Sequence, residues 1–209
     1  APLFVREGVR DPQAIASLPG VVQHSLDSLR AEVGELISLG IPAVIVFGVP
    51  EHKDAEGTGA SDPDGIVQVA LRDLRDTYGD AVVLIADLCL DEYTDHGHCG
   101  LLTPSGLVDN DATLDRYAEV AIAQAEAGVD IVAPSGMMDG QVAAIRDALD
   151  EEEYGEVAIM AYAAKYASGL YGPFRDAVDV EIAGGGDRKA YQQDFRNARE
   201  SLEEVRADV

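Results

Sequence analysis

Basic residues are scarce in this sequence. Its 209 residues carry 15 Lys and Arg against 39 Asp and Glu, a formal net charge of −24, and only three of the basic residues are lysines: Lys53, Lys165 and Lys189. A field of that sign repels phosphate, so neither nucleic acid nor an anionic membrane is an expected partner. Long apolar runs are also lacking. None approaches the 18 or so residues of a membrane span, and no basic-then-apolar signal segment opens the chain. Cysteine is limited to Cys89 and Cys99, close together in a stretch rich in other metal-ligating residue types. Such a pair can form a disulfide, but a reduced site in the cytoplasm fits the setting better.

What the chain has in quantity is acid and apolar surface. Apolar residues make up 47%, enough for the core of a single domain over 1–209. The acidic excess is spread over the whole length and Arg is preferred to Lys, which suits a protein kept soluble at high salt; a halophilic source is the expectation. The chain opens without an initiating Met on strand-like residues 3–5 and closes in a charged helix, so both ends read as cut from a longer protein.

The organisation is repetitive. Leu26, Leu29, Val33, Leu36 and Ile37 recur at helical spacing within 21–39, Gly40 stops them, and 41–48 reads as a buried strand. A second helix over about 64–77 stops at Gly79 and leads into a strand at 81–87. A third carries Leu114, Tyr117, Ala121, Ile122 and Ala125 on one face, with Asn110 or Asp111 as cap and Gly128 as stop, before a strand at 131–135. A fourth, over about 138–150, runs through Gly155 into an apolar run from Val157 that reads as a strand ending near Lys165. Helix, glycine and apolar strand, four times over, indicate a parallel α/β sheet. No Gly-x-Gly-x-x-Gly follows the first strand, which weighs against a dinucleotide-binding doubly wound sheet. Polar residues fall at the C-terminal ends of several strands, as in a (β/α)8 TIM barrel. Counting residues 3–5, about five of the eight β/α units are present.

Two stretches carry the chemistry. An ammonium at Lys165, at the end of a buried run, loses hydration, which lowers its pKa towards neutrality and prepares the amine for Schiff-base formation; the competing reading is a lysine snorkelling to solvent. The second stretch is DLCLDEYTDHGHCG at 87–100. Cys89 and Asp91 lie on one side of an extended segment, and Cys99 can return through the loop to complete a three-point metal site with one position left open. Thiolates favour zinc, a carboxylate also suits magnesium, and the mixed set leaves the metal open. His96 and His98 are ligands, supporting groups or plain loop residues.

Together these stretches resemble the porphobilinogen synthase (5-aminolevulinate dehydratase) family. Its blocks occur in order: PLFVREG at 2–8, VIVFG at 44–48 with KDAEG at 53–57, the run at 87–100, APSGMMDG at 133–140, MAYAAKYAS at 160–168, YGPFRD at 171–176 and GDRKAYQ at 186–192. The resemblance implies a TIM-barrel lyase of haem and porphyrin biosynthesis, which condenses two molecules of 5-aminolevulinate to porphobilinogen with loss of two waters, and a homo-oligomer, octameric in the family. Lys165 matches one of two Schiff-base lysines. Arg175 and Arg188 match arginines that hold a substrate carboxylate, Asp87 and Ser135 match polar pocket residues, and Gln192 belongs to the lid. Cys89, Asp91 and Cys99 match the active-site metal positions, and Glu204 a separate interface magnesium site. Glu204 reads equally as part of a solvated helix face.

The departures from the family pattern are informative. Zinc-dependent members carry three cysteines, so the set here is intermediate: zinc is expected and magnesium remains an alternative. Gly136 stands where the family usually has Asp, an exchange expected to loosen that loop. The segment bearing the second Schiff-base lysine is not in the chain, so the isolated chain is expected to be inactive. Competing readings are a class I aldolase with a single lysine, and a non-catalytic metal-binding barrel fragment. The composition itself makes a prediction. Raising KCl from about 0.1 M to about 2 M relieves self-repulsion and should raise the thermal midpoint in circular-dichroism melts; a midpoint indifferent to salt would remove the halophilic reading.

Overall fold

Alternation along the strands lays down a sheet with two different faces. The computed structural model describes residues 1–208; Val209, the last residue of the expected single domain, lies outside the described residues. Strand β1 (Pro2–Arg6) is followed by the short β2 (Gln13–Ala14) and β3 (Val22–His24), then α1 (Leu26–Ser38) and β4 (Ala43–Val49). Next come α2 (Ile66–Tyr78), β5 (Val83–Leu88), α3 (Asn110–Glu126), β6 (Ile131–Pro134), α4 (Gln141–Glu151) and β7 (Ala158–Ile159). A short α5 (Gly172–Ala177) and the terminal α6 (Ala198–Asp208) complete the order.

The sheet runs β2-β3-β1-β4-β5-β6-β7, parallel throughout except for the antiparallel β2–β3 pair. From β1 through β4 to β7 the spatial order follows the chain order. A doubly wound sheet reverses direction at a switch point; this one does not, and α1 to α4 pack successively against one another on one face. The result is part of a barrel wall, as the strand-end chemistry predicted.

Period-two alternation assigns the faces. Val5, Val46, Leu84 and Val132 meet Leu29, Val33, Leu71, Leu74, Val120 and Ile145 from the helices in the main core. Phe4 and Phe47 point the other way, into a second cluster with Phe174, Ala177 and Val178. The three phenyl rings lie 5.0 to 5.7 Å apart, centroid to centroid, in stacked and edge-on contacts. They fasten α5 over the C-terminal ends of β1 and β4. Gln23 in β3 strengthens the join by donating to the Ala177 carbonyl at 2.8 Å.

Several sequence expectations are corrected here. Residues 22–24 are a strand rather than the start of a helix, and α1 begins after Ser25, whose side chain caps it. The cap of α3 is Asp109, which accepts from the Ala112 amide at 3.2 Å, rather than Asn110 or Asp111. The run from Val157 pairs over only two residues, β7, so Lys165 sits on an irregular segment beyond the strand. Among the described residues no helix is long and apolar enough to cross a membrane. The packing yields a contrast to measure. Leu84 is fully buried, so Leu84→Ala should cost about 2–5 kcal/mol by chemical denaturation. Leu39 is 69% exposed, and Leu39→Ala should stay within about 0.5 kcal/mol.

Candidate active site

The C-terminal ends of β5, β6 and β7 converge on a cavity of about 170 Å³. Its polar wall is Asp87, Asp91, Glu92, Ser135, Lys165 and the two arginines Arg175 and Arg188, and its apolar wall is Phe47, Tyr162, Tyr171 and Phe174. Asp87 reaches it because it alternates with Ala86 and Leu88, which face the helices. Ser135 follows β6 directly. The structure therefore brings together five of the expected residues (Lys165, Asp87, Ser135, Arg175 and Arg188), with the metal candidates beside them. Sequence reasoning missed Glu92, although it lies in the same ligand-rich run.

Cys89, Asp91 and Cys99 form a buried trio whose ligand atoms all lie within 4.8 Å of one another. Two sulfurs bound to one zinc at about 2.3 Å stand about 4 Å apart, so this donor set fits a divalent cation with small side-chain adjustments. The hydrogen bond from Cys89 draws the Cys99 thiol down, whereas burial pushes the Cys89 thiol well up. Burial would also raise the Asp91 carboxyl, but Arg188 and Lys165 overcome it and hold Asp91 well below the usual carboxylate range. Arg188 Nη2 donates to Asp91 Oδ2 at 2.8 Å and to the Gly97 carbonyl at 2.9 Å, with both charged side chains buried.

Lys165 donates to the Ser135 carbonyl at 2.8 Å, and its ammonium lies 5.5 and 5.4 Å from the ring centres of Tyr162 and Tyr171. The expected fall in its pKa is corrected. Burial pulls it down, but Cys99, Cys89, Asp91 and Asp87 together raise it above the ordinary lysine value. A divalent cation on the trio would offset that anionic field. Burial lifts Asp87 to about 7 against the opposing pull of Lys165, and pushes Glu92 well up, with Asp91 and Asp87 adding to it. One oxygen on each of these acids, Asp87 Oδ1 and Glu92 Oε2, is buried without a partner among the described residues.

The segment over 180–193 covers this site from outside. Tyr191 Oη lies 3.1 Å from His98 Nδ1, and Ala183 donates to the His96 carbonyl at 3.1 Å. Gly97 makes this approach feasible: its φ is +70°, and a Cβ there would stand 2.3 Å from the Glu181 carbonyl oxygen. His96 and His98 serve these contacts and do not join the trio. Gln192 is buried but lines a larger neighbouring cavity of about 610 Å³, which shares Arg175 and Arg188 with the inner one. Arg175 finds no side-chain hydrogen bond or ion pair among the described residues. Glu204 lies on α6, away from the inner cavity, near Asp139 and Glu200, and joins no three-ligand group among the described residues. Gly136 does not leave a loosened gap, because the buried ring of Tyr117 fills the space beside it.

Comparison with known proteins matches the chain as a whole to a family. The sequence model described as "ALAD: Delta-aminolevulinic acid dehydratase" matches residues 1–209. Proteins named delta-aminolevulinic acid dehydratase from Streptomyces coelicolor and Mycobacterium tuberculosis H37Rv are 59% and 55% identical over 210 residues; the alignments cover all of this chain and 63% of each relative. The Bacillus subtilis relative is 51% identical over 208 residues, again covering all of this chain and 63% of its own length. This chain thus spans just under two thirds of the length of the curated relatives it matches. A crystal structure of delta-aminolevulinic acid dehydratase (porphobilinogen synthase) from Toxoplasma gondii ME49, in complex with the reaction product porphobilinogen, superposes with a TM-score of 0.97. It is 43% identical, over 99% of this chain and 59% of that one.

The buried Arg188–Asp91 pair generates a prediction. Arg188→Ala strands a buried carboxylate and should cost about 3–5 kcal/mol in urea unfolding of the metal-free protein, and adding Asp91→Asn should recover much of the loss. Additive losses in the double variant would show that the pair is not coupled.

Proposed function

The chain belongs to the delta-aminolevulinic acid dehydratase family, and we propose that the longer protein it represents is a lyase that condenses two molecules of 5-aminolevulinate to porphobilinogen, with loss of two waters. The observation that carries this reading is the convergence of Lys165, Arg175, Arg188 and the cysteine–aspartate trio on one cavity. The porphobilinogen-bound relative of nearly identical fold supports the same substrate.

In this reading Lys165, as the neutral amine, attacks the ketone carbon of one substrate, and the carbinolamine loses water to give the imine. Asp87, its carboxyl pushed up to about 7 by burial in the same cavity, takes up and returns the proton this dehydration moves. Ser135 sets the amine's position through its carbonyl. Arg175 holds the substrate carboxylate with its uncommitted guanidinium. Arg188, fixed by Asp91, adds its Nε, which is buried without a partner among the described residues. Gln192 closes the outer cavity. Cys89, Asp91 and Cys99 would hold the metal, zinc by their two sulfurs, with magnesium the alternative for a mixed set. A bound cation supplies Lewis-acid polarisation of substrate oxygen. Glu204 is assigned to a separate magnesium site between subunits.

The second Schiff-base lysine is assigned to the part of the relatives' length that this chain does not span. The proposal also includes a homo-oligomer, an octamer as the family resemblance implies, located in the cytoplasm, with residues 1–209 forming one part of a single barrel domain.

Borohydride trapping of the full-length protein with 5-aminolevulinate, followed by peptide mapping, tests the assignment. A reduced adduct is expected on Lys165, and Lys165→Met should lower turnover at least about 10³-fold. Adducts on Lys53 or Lys189 with none on Lys165 would overturn the assignment.

A further inference from the structure

Tyr117 and residue 136 compete for one space. Tyr117 is fully buried on α3. A Cβ built on Gly136 would lie 1.6 Å from its Oη and 2.7 Å from its Cζ, so no other residue fits at 136 while the ring stays in place. The backbone is not the reason for glycine here, because the φ of Gly136 is not among the positive ones. The ring uses the space to reach between two loops. Its hydroxyl donates to the Cys99 carbonyl at 2.7 Å, and the same oxygen stands 3.9 Å from Cys89 Sγ.

On the other side of the ring lies the loop holding Ser135, the residue that receives the Lys165 hydrogen bond. That loop is firmly tied. The Met138 amide donates to Gln141 Oε1 at 3.0 Å, the Asp139 amide donates to Asn110 Oδ1 at 2.8 Å, and Met137 is held at φ 63°. Tyr117 therefore runs from a helix on the outer face, past Gly136, to both cysteines. One hydroxyl proton cannot serve both cysteines equally; the short bond goes to the Cys99 carbonyl, and the sulfur of Cys89 packs against the oxygen that bond has fixed.

We propose that Tyr117 is a positioning residue for the two metal-ligating cysteines, admitted to the site by the absence of a side chain at Gly136. Fixing the Cys99 carbonyl sets the path of the loop that returns Cys99 to the trio. Contact with Cys89 Sγ sets the side from which that sulfur is presented. Groups that orient metal ligands in this way contribute strongly to affinity although they never touch the ion. The proposal rests on reading Cys89, Asp91 and Cys99 as a metal site.

Cobalt(II) binding to the full-length protein tests it, because the sulfur-to-cobalt charge-transfer band reports thiolate ligation directly. Tyr117→Phe keeps the ring and removes the hydroxyl; Gly136→Ala keeps the hydroxyl and displaces the ring. Both variants should bind cobalt about tenfold more weakly or worse, with a weaker charge-transfer band per bound ion. The thermal midpoint of metal-free Tyr117→Phe should stay within a few degrees of wild type. If Gly136→Ala does not fold, Tyr117→Phe decides alone. Unchanged affinity and band in Tyr117→Phe overturn the proposal, as does a lowered midpoint with an unchanged band, the mark of a merely structural tyrosine. Wild-type protein showing no sulfur-ligated cobalt would instead overturn the metal reading itself, and the role of Tyr117 with it.

Discussion

The structure depends on holding an uneven set of charges away from water. Around one small cavity stand Asp87, Asp91, Glu92 and the thiols of Cys89 and Cys99, opposed by Lys165, Arg175 and Arg188. Isolated buried ions of this kind cost several kcal/mol each, so they persist only where partners or protons neutralise them. The site uses both means. Arg188 holds the Asp91 carboxyl well below the usual carboxylate range, whereas burial pushes that of Glu92 well up, towards the neutral form. The strand ends, the arginine-bearing segment over 180–193 and the helix behind the cysteines are the scaffolding that makes this balance geometrically feasible. The balance is also incomplete. Among the described residues Asp87 Oδ1, Glu92 Oε2 and Arg188 Nε have no hydrogen-bond partner, and buried polar atoms ordinarily have one.

The outer segment and the cysteine loop behave as one element. Arg188 reaches Asp91 and Gly97, Tyr191 reaches His98, and Ala183 reaches His96. Each contact lands on the run at 91–98, and the backbone of Gly97 is the surface on which the two pieces touch. Displacing either piece breaks a buried ion pair, so the shape of the metal-binding run and the covering of the cavity are tied by the same bonds.

Much of this was legible in the sequence. The repeated helix, glycine and apolar strand gave the parallel wall, because hydrophobic period and stop signals are local properties. The trio was visible because its members lie within eleven residues, from Cys89 to Cys99. What escaped detection depended on partners remote in the chain. Residues 22–24 become a strand because β1 offers them a pairing edge, and the run after Val157 leaves the ladder after two residues where β6 reaches Pro134, which has no amide hydrogen to donate back. Gly136 read as a loosened loop because the ring of Tyr117, nineteen residues earlier, gives no sign in sequence of pointing at it.

The sign of the shift at Lys165 is the most instructive of these misses. Burial was foreseen and acts in the foreseen direction, but Cys99, Cys89, Asp91 and Asp87, from the end of β5 and the loop after it, outweigh it. Of the three lysines, it is Lys53 whose pKa falls, pulled down by burial against the pull of Glu92 and the other nearby acids. Proton affinity taken alone would therefore favour Lys53 as the nucleophile. Position argues otherwise. Lys53 is spent on the Asp179 carbonyl at 2.7 Å and lies outside the inner cavity, whereas Lys165 lines it between two tyrosine rings. Lys189 is exposed, ion-paired to Asp187 and held protonated by that bond. The groups that raise Lys165 are largely those that would hold the cation, and a bound divalent charge would offset their field. Location, rather than proton affinity, is what favours Lys165 as the proposed nucleophile.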